Sequence, residues 1–152
     1  VDQMIQYYLG ETPILSNVPT YQCRASEQLH YVLNNLEKLV VKEAQGSGGY
    51  GMLIGPQADQ QQIEQFRQKI MQTPHLYIAQ PTLALSVAPT LTTDGVAERH
   101  IDLRPFVLSS PCRTEIVPGG LTRVAMQAGS LVVNSSQGGG IKDTWVVESL
   151  HS

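Results

Sequence analysis

A cluster of glycines between two apolar runs is the segment of this sequence best suited to binding a phosphate. Residues 40–51 read VVKEAQGSGGYG, and the apolar runs are residues 39–41 and 52–54. When strands flank a glycine loop, its backbone N–H groups can close over phosphate oxygens, because no side chains block their approach. The pattern predicts a β-hairpin flap over a nucleotide triphosphate. Its expected ligand-binding residues are Lys42, as a point charge on the incoming strand, and the loop residues Gly46, Ser47, Gly48, Gly49 and Gly51.

Two other nucleotide-binding glycine motifs, the dinucleotide-binding loop and the Walker A loop, do not fit this segment. Gly46, Gly48 and Gly51 satisfy G-x-G-x-x-G, but a dinucleotide-binding fold requires a helix to begin at the loop, and here a strand is expected to follow. A Walker A loop is excluded because no Gly-Lys-Ser/Thr follows the glycines. A solvated lysine at a sheet edge beside a flexible turn is an alternative explanation of the same residues.

A second candidate group lies on the strand expected at residues 101–108. Period-two alternation places Asp102, Arg104 and Phe106 on one face and Ile101, Leu103 and Val107 on the other, which is expected to be core. Arg104 is suited to bracing a transferring phosphoryl group by bidentate hydrogen bonds, with Asp102 holding its orientation. A structural ion pair across a sheet explains the same two residues, and Pro105 indicates an edge or a bulge.

A third candidate group begins at Asn134, where polar residues meet three consecutive glycines. The segment from Asn134 to Gly140 follows an expected strand at residues 131–133 and contains Gly138 and Gly139. A polar side chain at a strand end beside small residues suits a contact with an amide or a phosphate, but a solvent-exposed loop has the same composition. The histidines have no Ser, Cys or Asp partner at a spacing typical of a nucleophilic triad.

Composition excludes several classes of protein. The chain has 152 residues, 41% hydrophobic and 15% charged, and its net charge of −3 provides no basic field for nucleic acid. No apolar run reaches membrane-spanning length, and no secretory signal is present, so a cytoplasmic protein that binds neither nucleic acid nor membrane is expected. Cys23 and Cys112 lie far apart without a partner at metal-ligand spacing, which predicts reduced, structural thiols and no zinc site.

The expected elements give an α+β fold class, with an α/β lid followed by a mostly antiparallel sheet. Helices are predicted at residues 2–9, 26–36 and from Asp59 to about residue 72, the second capped by Ser26 and the third by an Asp59–Gln62 capping box. Residues 76–79 form a further expected strand, and a hinge is expected near residues 80–86. The later strands are expected at residues 99–108, 113–117, 121–126, 131–133 and 144–147.

Taken together, these segments resemble the circularly permuted ATP-grasp proteins. The resemblance rests on VVKEAQGSGGYGM at 40–52, IAQP at 78–81, IDLRPFV at 101–107, PGGLTR at 118–123 and NSSQGG at 134–139, in order along nearly the whole chain. It implies an ATP-grasp-like fragment with three parts. These are an N-terminal helix and connector at residues 1–25, a lid-like subdomain at 26–80, and part of the core sheet at 81–152.

The resemblance also implies a function. ATP-grasp ligases join a carboxylate to an amine through an acyl phosphate, which implies ATP as cofactor and small-molecule or peptide-like carboxylates and amines as substrates. It places Lys42 and the loop glycines on the phosphates, Gln80 at the adenine-side hinge, and Arg104 and Arg123 near the transferred group. Asp102 lies with Arg104 on the segment that resembles the catalytic strand, and it is a candidate catalytic residue too. Asn134, with Gly138 and Gly139, is expected at the triphosphate or the substrate.

The resemblance implies Mg²⁺ as well, held by carboxylates and an Asn on strands of the core. No such set is recognisable here, so its ligands are expected outside this chain, on strands N-terminal to Val1. The start at Val1 inside an expected helix likewise suggests an excised piece, inactive on its own, of a longer ATP-dependent ligase. Two alternatives stay open: a non-catalytic nucleotide-binding or interaction module with a degenerate fold, and an α/β domain whose glycine loops are only turns.

Overall fold

The computed structural model of the chain describes residues 1–46, 51–134 and 138–147. The chain divides into two compact units, Val1–Leu83 and Ala84–Ser152. The boundary after Leu83 lies within the segment where the sequence predicts a hinge. In the described part of the chain, no helix is long and apolar enough to cross a membrane.

The first unit is an antiparallel sheet with two of its helices packed on one face. Its strands are β1 (Tyr21–Gln22), β2 (Leu39–Glu43), β3 (Leu53–Ile54) and β4 (Tyr77–Pro81). Their order across the sheet is β1-β4-β2-β3, so strands distant in sequence are neighbours. The helices are α1 (Asp2–Leu9), which has no buried residue, and the packed helices α2 (Ser26–Leu33) and α3 (Gln60–Gln72). Short 3₁₀ turns at Leu36–Lys38, Gly55–Gln57 and Pro74–Leu76 precede or follow the strands.

The core of the first unit lies on one face of the sheet. Leu39 and Val41 alternate with Val40 and Lys42 along β2, and only the first two are buried. This alternation follows from the pleat, which directs successive side chains to opposite faces. These buried residues meet apolar residues of α2 and α3. Among the described residues, the buried cluster is Cys23, Val32, Leu36, Leu39, Val41, Leu53, Ile63, Ile70, Tyr77 and Ala79.

The predicted helices are present, with corrected ends. The capping box at the start of α3 is confirmed, since Asp59 accepts from the Gln62 amide at 2.8 Å and the Gln62 side chain accepts from the Asp59 amide at 3.0 Å. The prediction of Ser26 as N-cap is wrong, because α2 begins at Ser26 and its N-cap is Ala25. Leu36 lies in the 3₁₀ turn after α2 and is buried. The apolar spacing therefore predicted the burial of Leu36 correctly, but it made the predicted helix too long.

The second unit is a four-stranded antiparallel sheet of β5 (Val87–Thr92), β6 (Gly95–Ser109), β7 (Thr114–Val124) and β8 (Gly140–Thr144), which lie side by side in chain order. The sequence pattern predicts two strands where the structure has the single strand β7, and it does not predict β5. The strand predicted at residues 131–133 is absent, and the one predicted at residues 144–147 shares only Thr144 with β8.

The far end of the β6–β7 hairpin differs from the sequence expectation. Leu103 and Val107, expected to face a core, are 58% and 55% exposed. The pairing of β6 with β7 shifts register between Pro105 and Val107, which confirms the bulge that Pro105 indicates. The second unit therefore has a small core near Val124, Ala125 and Val133, and its long hairpin extends beyond that core.

The α+β fold class is confirmed by these three helices and two antiparallel sheets. Both cysteines are free thiols, as predicted. Cys23 is buried in the core of the first unit, where burial raises its pKa, whereas Cys112 is exposed.

Candidate functional site

In the first unit, Lys42 and Gln80 lie together on the sheet face opposite the core. The β2–β4 register pairs Lys42 with Ile78 and Val40 with Gln80, so the two polar side chains are diagonal neighbours. Diagonal side chains on one face of an antiparallel pair are within reach of each other when they are long. The Lys42 Nζ donates to the Gln80 Oε1 at 2.9 Å, and both residues are half-buried. The structure thus brings Lys42, the predicted phosphate-binding residue, into hydrogen-bond contact with Gln80, the predicted hinge residue.

The bond to Gln80 holds the Lys42 ammonium without neutralising its charge. An ammonium group has three donors, and the amide oxygen of Gln80 takes one of them. Because the amide is neutral, it does not cancel the positive charge, and among the described residues the other two donors have no partner. Among the residues that the structure describes, Lys42 forms no ion pair.

The strands on either side of the glycine loop form the predicted hairpin. Val40 pairs with Ile54 and Val41 with Leu53, so the chain reverses between β2 and β3. At the start of the loop, the Gly46 amide donates to the Glu43 carbonyl at 3.1 Å. At its end, Gly51 has φ +66°, a left-handed conformation that favours glycine. Ser47, Gly48 and Gly49 lie outside the described residues, so their predicted contacts with phosphate stay predictions.

In the second unit, Arg123 connects Asp102 to Asn134. Asp102 and Arg123 are direct cross-strand partners on β6 and β7. The Arg123 Nε donates to the Asp102 Oδ1 at 2.8 Å, and the Arg123 Nη2 donates to the Asp102 Oδ2, which makes the pair bidentate. The Arg123 Nη1 donates to the Asn134 Oδ1. Three predicted site residues are therefore in contact, although they are well separated in sequence.

This arrangement corrects the partner that the sequence predicts for Asp102. The period-two alternation makes Arg104 the expected partner, but the Asp102 carboxylate receives its hydrogen bonds from Arg123. The cross-strand neighbour is closer than the residue two positions along the same strand, where side chains are about 7 Å apart. In the described part of the chain, the exposed Arg104 side chain forms no hydrogen bond or ion pair, and it acts on Asp102 only through its charge.

The electrostatics of the Asp102–Arg123 pair follow from its burial. The Arg123 and Asp102 side chains are 11% and 28% exposed. The hydrogen bond from Arg123 lowers the pKa of the Asp102 carboxyl below its usual value, and the same bond raises the pKa of Arg123. Both groups stay ionised, so their charges cancel locally. Arg123 is consequently a neutralised cation, unlike Lys42.

The orientation of the Asn134 amide follows from its contact with Arg123. A guanidinium group only donates, so it must contact the amide oxygen. The Nδ2 group of Asn134 is then directed away from Arg123 as a donor. A guanidinium at the oxygen also disfavours a metal cation there, because like charges repel. The geometry favours Asn134 as a donor to an anion or a carbonyl over Asn134 as a metal ligand.

Gly139 closes the loop that begins at Asn134. The Gly139 amide donates to the Asn134 carbonyl at 3.0 Å. A Cβ at Gly139 would lie 2.4 Å from the Val133 carbonyl oxygen, so no larger residue fits there without a shift of the backbone. The neighbouring Gly138 is exposed. This close approach accounts for Gly139 without a ligand, and the predicted ligand contacts of both glycines stay predictions.

A metal requires a set of ligands that the described part of the chain does not provide. Within residues 1–46, 51–134 and 138–147, no group of three or more His, Cys, Asp or Glu side chains is placed to hold a metal ion. Both carboxylate oxygens of Asp102, the candidate acidic residue of the second unit, already accept hydrogen bonds from Arg123. The described residues therefore identify no Mg²⁺ site, and no chemical step is assigned to a metal here.

Sequence reasoning missed Thr20, which contacts the candidate site. The Gln80 Nε2 donates to the Thr20 Oγ1 at 2.8 Å. Thr20 precedes β1, a strand of two residues that is too short to show a periodic pattern. No sequence signal identified it.

A family description, circularly permuted ATP-grasp type 2, matches residues 1–125 of this chain. The match confirms the family that the five sequence motifs predict. It includes Lys42, Gln80, Asp102, Arg104 and Arg123, and it ends before Asn134.

Several longer proteins are similar to nearly the whole chain. An uncharacterized protein of Synechocystis sp. is 57% identical over 148 residues, which are 97% of this chain and 31% of that protein. An uncharacterized protein of Mycobacterium tuberculosis is 48% identical over 147 residues, which are 97% of this chain and 27% of that protein. A protein of Frankia casuarinae, named "Putative glutamate–cysteine ligase 2-2", is 46% identical over 146 residues, which are 96% of this chain and 17% of that protein. The chain thus spans a third or less of the relatives it matches.

Proposed function

The chain belongs to the circularly permuted ATP-grasp type 2 family, and from this premise we propose that it is the ATP-binding portion of an ATP-dependent carboxylate–amine ligase. In this proposal, residues 26–80 are the lid-like subdomain and residues 81–152 are part of the core sheet. Lys42 and the glycine loop bind the phosphates of ATP, and Gln80 lies on the adenine side.

The observation that carries the proposal is the state of the Lys42 ammonium. It lies on β2, directly before the glycine loop, on the face of the sheet that has no core. Its hydrogen-bond partner is the neutral Gln80 amide at 2.9 Å, and no carboxylate among the described residues pairs with it to cancel its charge. A structural lysine is typically paired with a carboxylate or solvated at full exposure, whereas a positioned and uncancelled charge suits a polyanionic ligand.

In the second unit, we propose different roles for Arg123 and Arg104. Arg123 is bound to Asp102 on one side and to Asn134 on another, so in this proposal it positions Asn134 and does not bind phosphate itself. Arg104 is exposed and carries the charge that is available to a phosphoryl or acyl phosphate group. Asn134 donates from its Nδ2 to the triphosphate or the substrate.

The reaction of such a ligase has two transfers. A carboxylate oxygen attacks the γ-phosphorus of ATP, the bond to the β-phosphate oxygen breaks, and ADP leaves. The amine then attacks the acyl carbon, inorganic phosphate leaves, and the amine loses a proton. Charge develops on the transferred phosphoryl oxygens, so cations and donors placed there stabilise the transition state. When bound, Mg²⁺ would neutralise part of that charge, and in this proposal its ligands lie outside this chain.

The substrates stay at the level of chemical class. The name of the Frankia protein supports a carboxylate and an amine as substrates. Because the matched region is only 17% of that protein, the name does not assign a particular acid or amine to this chain.

The test is calorimetric titration of the chain with ATP, beside a Gln80→Glu variant. A carboxylate at position 80 would pair with the Lys42 ammonium and cancel its charge, so ATP should bind about tenfold more weakly. Gln80→Met, which removes the polar atoms but adds no charge, is the matched control and should bind ATP more tightly than Gln80→Glu does. Equal affinities for the parent chain and Gln80→Glu would contradict the role of Lys42.

A further inference from the structure

A chain of three hydrogen bonds extends from Lys42 to the backbone of the segment before β1. The Lys42 Nζ donates to the Gln80 Oε1 at 2.9 Å, and the Gln80 Nε2 donates to the Thr20 Oγ1 at 2.8 Å. The Thr20 Oγ1 in turn donates to the Val18 carbonyl at 3.0 Å. We name these four residues the Lys42 relay.

Each donor role in the relay follows from the group before it. Lys42 has only donors, so it must contact the Gln80 oxygen. The Gln80 nitrogen is then directed at Thr20, whose hydroxyl must accept with its lone pair. The single hydroxyl proton of Thr20 is left for the Val18 carbonyl. All three bonds therefore have the same direction, an arrangement in which each bond polarises the next.

The sheet places Thr20 where this contact requires it. Strand β1 pairs with β4 through Tyr21–Ala79 and Gln22–Ile78, so one further step of this register brings Thr20 opposite Gln80. On its other side Gln80 faces Val40 of β2, whose neighbour Lys42 is on the same face. The two-residue strand β1 thus positions a hydroxyl beside the amide that holds the ammonium.

We infer that Thr20 is a positioning residue that fixes the Gln80 amide and, through it, the Lys42 ammonium. With the hydroxyl present, a turned amide would direct its nitrogen at the ammonium, which loses the bond from Lys42. Its oxygen would then face the Thr20 hydroxyl, which could donate to it only by giving up its bond to the Val18 carbonyl. Without the Thr20 hydroxyl, the Gln80 amide keeps only its bond to Lys42, so the amide and the ammonium can move together. The effect of Thr20 on ATP affinity rests on the proposed function, whereas its effect on Lys42 does not.

The experiment compares three variants of the full chain by NMR and by ATP titration. Thr20→Val keeps the shape and removes the hydroxyl, and Thr20→Ser keeps the hydroxyl. Thr82→Val is the matched control, because the Thr82 hydroxyl donates to the Lys38 carbonyl at 3.1 Å within the same unit but outside the relay. The readouts are the side-chain amide signals of Gln80, the mobility of the Lys42 ammonium by ¹⁵N relaxation, and the dissociation constant for ATP.

Thr20→Val should shift the Gln80 amide signals, increase the mobility of the Lys42 ammonium and weaken ATP binding about three- to tenfold, the size of one hydrogen bond. Thr20→Ser should restore all three readouts, and Thr82→Val should leave them as in the parent. Unchanged Lys42 mobility in Thr20→Val, or the same change in Thr82→Val, would overturn the inference. If the parent chain does not bind ATP, the proposed function fails, and Lys42 mobility still decides the role of Thr20.

Discussion

Replacement of Arg123 by alanine should destabilise the second unit, and replacement of Arg104 should not. The Arg123 side chain is 11% exposed and donates to both Asp102 and Asn134. Its removal leaves the Asp102 carboxylate, which is 28% exposed, without its cation. Breaking a fully buried ion pair in this way costs about 3–5 kcal/mol.

The expected cost here is smaller because water reaches Asp102. More than a quarter of that side chain is exposed, and solvent replaces part of the lost interaction, so we expect about 2–3 kcal/mol. Arg104→Ala is the matched control, since it removes the same charge from the same sheet at an exposed position. Its effect should stay within about 0.5 kcal/mol.

Native-state hydrogen exchange is the suitable assay because it reports each unit separately. A loss of about 2–3 kcal/mol should accelerate exchange of the β6 and β7 amides on the order of 30- to 150-fold in Arg123→Ala, while the β2 and β4 amides of the first unit keep the parent rates. Equal protection of β6 and β7 in Arg123→Ala and Arg104→Ala would refute the assignment of Arg123 as a structural cation.

Four further predictions concern Asp102, Lys42, Arg104 and the chain as a whole. Because Arg123 lowers the pKa of Asp102, the ionised carboxylate stabilises the fold above its unfolded-state pKa. This contribution is lost as the pH falls below about 4. Asp102→Asn lacks this carboxylate, so in acid-unfolding curves it should lose less stability than the parent between about pH 5 and 2. Lys42→Ala should weaken ATP binding about tenfold or more in a calorimetric titration, with little change in thermal unfolding. Arg104→Lys, measured in a ligase-active protein that includes this chain, should lower turnover more than ATP affinity, because the charge is kept and the bidentate geometry is lost; a parallel loss of both would favour a structural role. The chain by itself should release no phosphate from ATP with added carboxylate and amine, and magnesium-dependent phosphate release by it would show that the account of the missing metal ligands is wrong.

Local pattern located most elements of the first unit, although not the two-residue strand β1. Apolar spacing located α3 and its capping box, and two short apolar runs around the glycines located the β2–β3 hairpin. These signals are local because a helix face and a tight hairpin are formed by residues close in sequence. The end of α2 was missed because Leu36 is buried from a 3₁₀ turn, and burial alone does not distinguish that turn from a helix.

The contacts of the candidate site depend on pairing between distant strands. Lys42 meets Gln80, and Asp102 meets Arg123, only because the antiparallel register places them so. A shift of one residue would send each side chain to the other face, and nothing local fixes that register. The sequence therefore identified residue types suited to ATP chemistry but paired Asp102 with the wrong arginine. It missed Thr20 because β1 is too short to show a pattern and because the contact with Gln80 depends on the pairing of β1 with β4.

The central claim is that the chain binds ATP at Lys42 and the glycine loop. The most direct measurement is titration of the ¹⁵N-labelled chain with ATP, followed residue by residue through backbone and side-chain amide shifts, with Lys42→Met as the comparison. We predict saturable shifts concentrated at Lys42, Gln80 and the segment from Gly46 to Gly51, which weaken strongly in Lys42→Met. Shifts that are absent, that lie outside this part of the first unit, or that persist unchanged in Lys42→Met would contradict the account.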